Sequence, residues 1–93
     1  MIKSFRDKRT VVLFAGQVPR GVGPDVVKRA KAKLTLLDAA ATLDFLRSPP
    51  GSRLEALRGD RGGQHSIRVN DQWRLCFVWR DGDAHDVEFC DYH

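Results

Sequence analysis

The last third of this 93-residue chain alternates, and that alternation fixes what it can fold into. Ile67 and Val69, then Trp73, Leu75, Phe77 and Trp79, place an apolar side chain at every second position. Between them fall Ser66 and Arg68, then Arg74, Cys76, Val78 and Arg80. Successive side chains on a strand point to opposite faces, so such a segment buries one face and offers the other. A helical period cannot satisfy this pattern. The region reads as strands near 65–69, 73–79 and 85–91 joined into two hairpins.

Register follows from parity. A two-residue turn at Asn70-Asp71 sets Ile67 opposite Arg74 and mixes the faces; a three-residue turn, Asn70-Asp71-Gln72, sets Val69 opposite Trp73 and Ile67 opposite Leu75. The second keeps one face apolar and puts Arg68 directly opposite Arg74. Like charges so placed cost a few tenths to about 1 kcal/mol, which a bound phosphate or a nearby carboxylate would remove. In the next hairpin, a loop around Asp81-Gly82-Asp83 sets Phe77 opposite Val87, Leu75 opposite Phe89 and Arg74 opposite Cys90, with Tyr92 on the same side. The polar face then collects Arg68, Arg74, Cys90 and Tyr92, with Asp91 and His93 at the strand's end. Such a set suits RNA cleavage without metal: one group takes the 2′-hydroxyl proton, another protonates the leaving 5′-oxygen, and arginine stabilises the phosphorane. The plainer reading is two splayed, solvated arginines, Tyr92 covering a sheet edge, Asp91 as an ion-pair partner and His93 as a loose last residue. His65 reads as a structural residue at a strand start, and His85 as facing solvent or the core edge.

Upstream, residues 2–5 read as a short strand, and Asp7 as the N-cap of a short helix running through Phe14 towards Gly16. Pro19, Gly21, Gly23 and Pro24 mark a loop, with Pro24 suited to the first turn of the next helix. In that helix Val27, Ala30, Leu34, Leu37 and Ala41 form one apolar stripe. Lys28, Arg29, Lys31 and Lys33 lie on other faces, either solvated or in contact with RNA or an acidic partner. Pro49-Pro50-Gly51 ends helical structure, Leu54–Arg58 reads as a short strand, and Gly59-Asp60-Arg61-Gly62-Gly63 as a turn. Helices followed by an antiparallel sheet predict a single α+β domain over 1–93, the long helix covering one sheet face.

Composition adds little. Net charge is +4 with a pI near 9.5, and 11 of the 16 basic residues are arginines, the type that forks onto phosphate. No apolar run approaches the roughly 18 residues of a membrane span, and Met1–Arg6 holds no secretory segment, so a cytoplasmic location is expected. Cys76 and Cys90 form no Cys-x-x-Cys and the histidines lack zinc-ligand spacing, so free thiols, no metal and no cofactor are expected. Gly16, Gly21 and Gly23 do not make a phosphate loop.

The chain resembles the HigB toxins of the RelE/ParE superfamily nearly end to end. The resemblance runs through Met1-Ile2-Lys3-Ser4-Phe5 and Leu57-Arg58-Gly59-Asp60-Arg61, and is strongest from Ser66-Ile67 through Trp73-Arg74 to Asp91-Tyr92-His93. It implies a microbial-RNase-like fold and ribosome-dependent cleavage of mRNA. It also implies a helix-turn-helix antitoxin of the HigA type, through which alone operator DNA would be bound. By the same resemblance Arg74, Asp91, Tyr92 and His93 belong to the active site, and Arg58 to a basic segment that binds substrate, with Arg61 nearby. Glu55 stands where some members carry histidine; it can act as a base but supplies no cation. Asn70 stands where some relatives place a basic residue, and Arg68 is close enough to replace it. A non-catalytic RNA- or protein-binding module and a ParE-like gyrase inhibitor are the alternatives; the Asp91-Tyr92-His93 ending favours the ribonuclease.

Overall fold

In a computed structural model, which describes residues 1–47 and 51–91, Asp7 is extended and its carboxylate accepts the Thr10 N–H at 2.9 Å. That cap opens helix α1, Lys8–Phe14. Pro24 starts helix α2, Pro24–Ala39, where its missing N–H costs nothing. Val27, Ala30, Leu34 and Leu37 are the buried stripe of α2. The sequence expectation runs two residues too far: the helix stops at Ala39, Ala40 is extended and buried, and Ala41 is exposed. A 3₁₀ turn follows at Asp44–Arg47. Of Pro49-Pro50-Gly51, the two prolines lie outside the described residues.

The second half forms one antiparallel sheet of four strands in chain order: β1 Glu55–Ala56, β2 His65–Arg68, β3 Trp73–Arg80 and β4 Asp83–Asp91. The expected strand at Leu54–Arg58 shortens to Glu55–Ala56, and a 3₁₀ turn occupies Gly59–Arg61. Between β2 and β3 the register is the one parity demands, Ile67 opposite Leu75 and Arg68 opposite Arg74. Asn70 holds the turn, its side-chain oxygen accepting the N–H groups of Gln72 (2.9 Å) and Trp73 (2.7 Å).

The second hairpin departs from expectation and then returns to it. Its loop has two residues, not three: Asp81 and Gly82 both have positive φ, +54° and +79°, and Arg80 pairs with Asp83. Such a turn matches the right-handed twist of the strands it joins. Val78 pairs with His85, yet Cys76 pairs with Glu88, so β4 carries one extra residue at Asp86-Val87. Asp86 takes φ +52° there. Beyond this bulge Leu75 faces Phe89 and Arg74 faces Cys90, as parity requires.

Residues 2–5 do not form a continuous strand. Two parallel bridges, Ile2 with Ala84 and Phe5 with Val87, straddle the bulge. Ser4 spans it, accepting the Asp86 N–H on its hydroxyl (2.8 Å) and the Val87 N–H on its carbonyl (3.1 Å).

Leu13, Leu34, Leu37, Ile67, Leu75, Phe77 and Phe89 are fully buried between the helices and one sheet face. Each such side chain contributes roughly 1.5–3 kcal/mol. His65 shares that face, its ring 6.3 Å from Phe77, and is therefore structural. Helix α1 grips β4 near its end. The Thr10 hydroxyl donates to Asp7 (2.6 Å) and accepts the Phe89 N–H (3.0 Å). Arg9 donates to the Phe89 carbonyl at 2.7 Å and lies 5.3 Å from the stacked rings of Trp73 and Phe89. Thr10→Val keeps the shape and leaves a buried N–H unpaired, so it should lower stability by about 1–3 kcal/mol. Urea unfolding checks this; an unchanged midpoint would remove the clamp from the fold's supports.

Candidate active site

The sheet face turned away from the helices carries Ser66, Arg74, Cys76, Glu88 and Cys90, which alternation forces to one side. Arg74 is the informative member, because a guanidinium at 7% exposure must find partners for its donors. It donates to the fully buried hydroxyl of Ser66 at 2.9 Å and lies 3.5 Å from the Glu55 carboxylate, which is half exposed. Ser66 is on β2 and Glu55 on β1, so three neighbouring strands fix one side chain.

Arg74 stands in a cavity of about 200 Å³ lined also by Leu57, Arg61, Ser66, Cys76, Cys90 and Asp91. Arg61 reaches it from the turn after β1 and is held by Glu88, its Nη1 2.9 Å from Oε1. That contact holds the Arg61 guanidinium above its ordinary pKa, against the opposing effect of burial. Arg6 approaches the same carboxylate at 3.8 Å. Asp91 accepts from the Gln72 side chain at 3.1 Å. The Sγ atoms of Cys76 and Cys90 are 3.2 Å apart and both thiols are free. Among the described residues no group of three or more His, Cys, Asp or Glu is placed to hold a metal ion.

The structure thus gathers Arg74, Arg61 and Asp91 in one cavity, with Glu55 against Arg74. Tyr92 and His93 lie outside the described residues. The other expected members sit elsewhere. Arg58 is exposed at the start of the 3₁₀ turn and does not line the cavity. Arg68, though directly opposite Arg74, pairs with Asp71 and lines a separate hollow of about 230 Å³ with Arg29 and Lys33. Lys33 donates to Ser52 at 2.6 Å; burial, and secondarily Arg68, hold its pKa below the ordinary lysine value. Lys28 and Lys31 line a groove of about 600 Å³ along α2. The polar face read from the sequence is therefore divided: Arg74 lines one cavity with Arg61, and Arg68 lines another with Arg29 and Lys33.

A family model for the RelE-like toxin of type II toxin–antitoxin system HigB matches residues 3–93. The chain belongs to the HigB family of toxins. It is 38% identical over 93 residues, the whole of both chains, to the endoribonuclease HigB of Proteus vulgaris. It is 41% identical over 85 residues, 90% of both, to toxin HigB-1 of Vibrio cholerae. Two solved YoeB–YefM toxin–antitoxin complexes from Staphylococcus aureus share the fold. Each superposes with a TM-score of 0.62 at 19% or 18% identity, over all of this chain and 98% of theirs.

In this HigB-family toxin, sequence reasoning missed Ser66 as the anchor of Arg74 and Glu88 as the anchor of Arg61. Only the strand register carried a signal for Ser66; none existed for Glu88, 27 residues from Arg61. A double-mutant cycle of Ser66→Ala and Arg74→Met should return a coupling of about 1.5–3 kcal/mol, the worth of a hydrogen bond to a charged group. Additive losses would show that Ser66 does not hold the guanidinium.

Proposed function

We propose that this type II toxin is a ribosome-dependent, metal-independent mRNA endonuclease that stops translation. The observation that carries the reading is Arg74, a buried guanidinium in a cavity lined also by Asp91, the residue that Tyr92 and His93 follow in sequence. A phosphodiester entering there meets Arg74 and Arg61, two forked cations suited to a phosphate and to the extra charge of its phosphorane. Cleavage without metal needs one base and one acid. On this reading Glu55 or Asp91 accepts the 2′-hydroxyl proton, and Tyr92 or His93 donates to the leaving 5′-oxygen. The 2′-oxygen attacks phosphorus, the P–O5′ bond breaks, and a 2′,3′-cyclic phosphate and a 5′-hydroxyl remain.

Arg58, Arg68, Lys28 and Lys31 spread cationic charge over separate surfaces, which suits a large polyanion such as the ribosome with its bound mRNA better than a short free RNA. Orientation of the scissile phosphate by ribosomal RNA then supplies the missing alignment. The endoribonuclease name of the Proteus vulgaris relative supports the chemistry. A helix-turn-helix antitoxin of the HigA type binds and silences the toxin in the cytoplasm, and operator DNA is reached only through it. Among the described residues no helix is long and apolar enough to cross a membrane.

Primer extension of a translated mRNA tests this. Wild-type protein should give discrete cleavage stops on ribosomes, resistant to EDTA once the ribosomes have the magnesium they need, and few on free mRNA. Folded Arg74→Ala should cleave about 10²–10³-fold more slowly, the usual loss for one donor to a developing oxyanion. Arg74→Lys should recover little, because an ammonium lacks the fork. Wild-type cleavage by folded Arg74→Ala would refute the assignment, and inhibition of gyrase instead of translation would move the protein to another class.

A further inference from the structure

We propose that Cys76 and Cys90 form a reversible disulfide under oxidation, and that forming it reshapes the cavity around Arg74 and Asp91. Only the consequence for cleavage rests on the ribonuclease reading; the thiol chemistry does not. The two sulfurs lie 3.2 Å apart on one face of adjacent strands, inside ordinary sulfur–sulfur contact, and both line the Arg74 cavity, which gives a small oxidant a way in.

Their positions explain why such a bond would act as a switch. Cys90 faces Arg74 and Cys76 faces Glu88, so the cysteines are diagonal neighbours across β3 and β4. Diagonal residues stand about 7–8 Å apart at Cα. Disulfides usually span about 4.4–6.8 Å, with an S–S length near 2.05 Å. Closing the bond therefore draws the strands together by roughly 1 Å or strains the bridge, and a strained bridge is readily reduced. The residue opposite Cys90 is Arg74, and the residue following it is Asp91. Both must move with it.

The electrostatics select the attacking sulfur. A hydrogen bond from Cys90, helped by the Arg61 and Arg74 guanidiniums, holds the Cys76 thiol below its ordinary pKa. Donating that hydrogen bond and being buried push Cys90 up. When the pair has lost one proton, the one that remains is therefore favoured on Cys90 and the charge on Cys76. With hydrogen peroxide as oxidant, the Cys76 thiolate attacks one oxygen; the O–O bond breaks, hydroxide leaves and takes a proton to become water, and Cys76 becomes a sulfenic acid. The Cys90 sulfur attacks the Cys76 sulfur; the S–O bond breaks, and the departing hydroxide takes the Cys90 proton as a second water. Two thiols lose two electrons and one peroxide gains them.

The test uses the full chain with hydrogen peroxide. Intact mass should fall by two hydrogens and return with dithiothreitol, and the backbone amide resonances of Arg74 and Asp91 should shift and recover with it. In Cys90→Ser, dimedone should label Cys76; in Cys76→Ser, Cys90 should label poorly. Ribosome-dependent cleavage should drop roughly 100-fold on oxidation, the usual cost of misplacing a site by about 1 Å, and recover on reduction. The Cys76→Ser/Cys90→Ser double variant, compared with its own untreated sample, should not respond. Thiols that stay reduced while glutathione in the same tube oxidises would overturn the proposal. So would a disulfide that leaves the Arg74 and Asp91 resonances in place, or preferential labelling of Cys90. A reduced chain that oxidises and shifts as described but cleaves no RNA would support the thiol chemistry and count against the ribonuclease reading alone.

Discussion

A guanidinium kept out of water is the constraint around which this sheet is arranged. Removing such an ion from solvent costs several kcal/mol unless its donors are met, and mutual attraction alone seldom repays that. Arg74 meets the cost across strands: Ser66 on β2 accepts one donor, Glu55 on β1 stands beside another, and β4 closes the far side with Cys90 and Asp91. β1 has only two residues, yet one of them is the carboxylate next to Arg74. A one-residue slip between β2 and β3 would send Arg74 to the helix side and Leu75 to the cavity, destroying core and site together. Register is thus specified twice, by apolar burial on one face and by charge on the other.

The helices reach the same site through the sheet. Thr10 and Arg9 on α1 hold the backbone of Phe89, so the chain immediately before Cys90 and Asp91 is fixed from the core side. The Asp7 carboxylate that caps α1 also receives the Thr10 hydroxyl. Local helix capping and placement of β4 are therefore one hydrogen-bonded chain, Asp7 to Thr10 to Phe89. Loss of either link loosens the strand that carries Asp91 and leads into Tyr92 and His93.

Sequence periodicity revealed the β2–β3 register because only one turn length kept the faces apart. It missed the second turn, yet gave the correct pairing of Arg74 with Cys90. Asp81-Gly82 is a two-residue turn, which shifts the strands by one, and the extra residue at Asp86-Val87 shifts them back. A three-residue loop without a bulge gives the same pairing beyond Cys76, so parity there could not tell the two apart. The overlong α2 stripe has a related cause: Ala40 and Ala41 are both apolar, and periodicity does not register where the backbone turns extended. Arg9, Thr10 and Glu88 were invisible for a different reason. Their partners lie 80, 79 and 27 residues away, and no local pattern encodes contacts at that range.

The facing arginines bear on chemistry in a way that sequence alone framed only halfway. Opposed like charges call for an anion, and a phosphate was one candidate; in the fold, carboxylates take that role, Asp71 for Arg68 and Glu55 for Arg74. Charge repulsion therefore does not itself demand a ligand. What distinguishes Arg74 is the inequality of its contacts. The one to Ser66 is short and buried, while the one to Glu55 is 3.5 Å long and involves a carboxylate 46% exposed. A contact of the second kind contributes between nothing and about 1 kcal/mol. On the proposed ribonuclease reading, a phosphate at the cavity mouth displaces Glu55 at little cost while Ser66 keeps the guanidinium aimed.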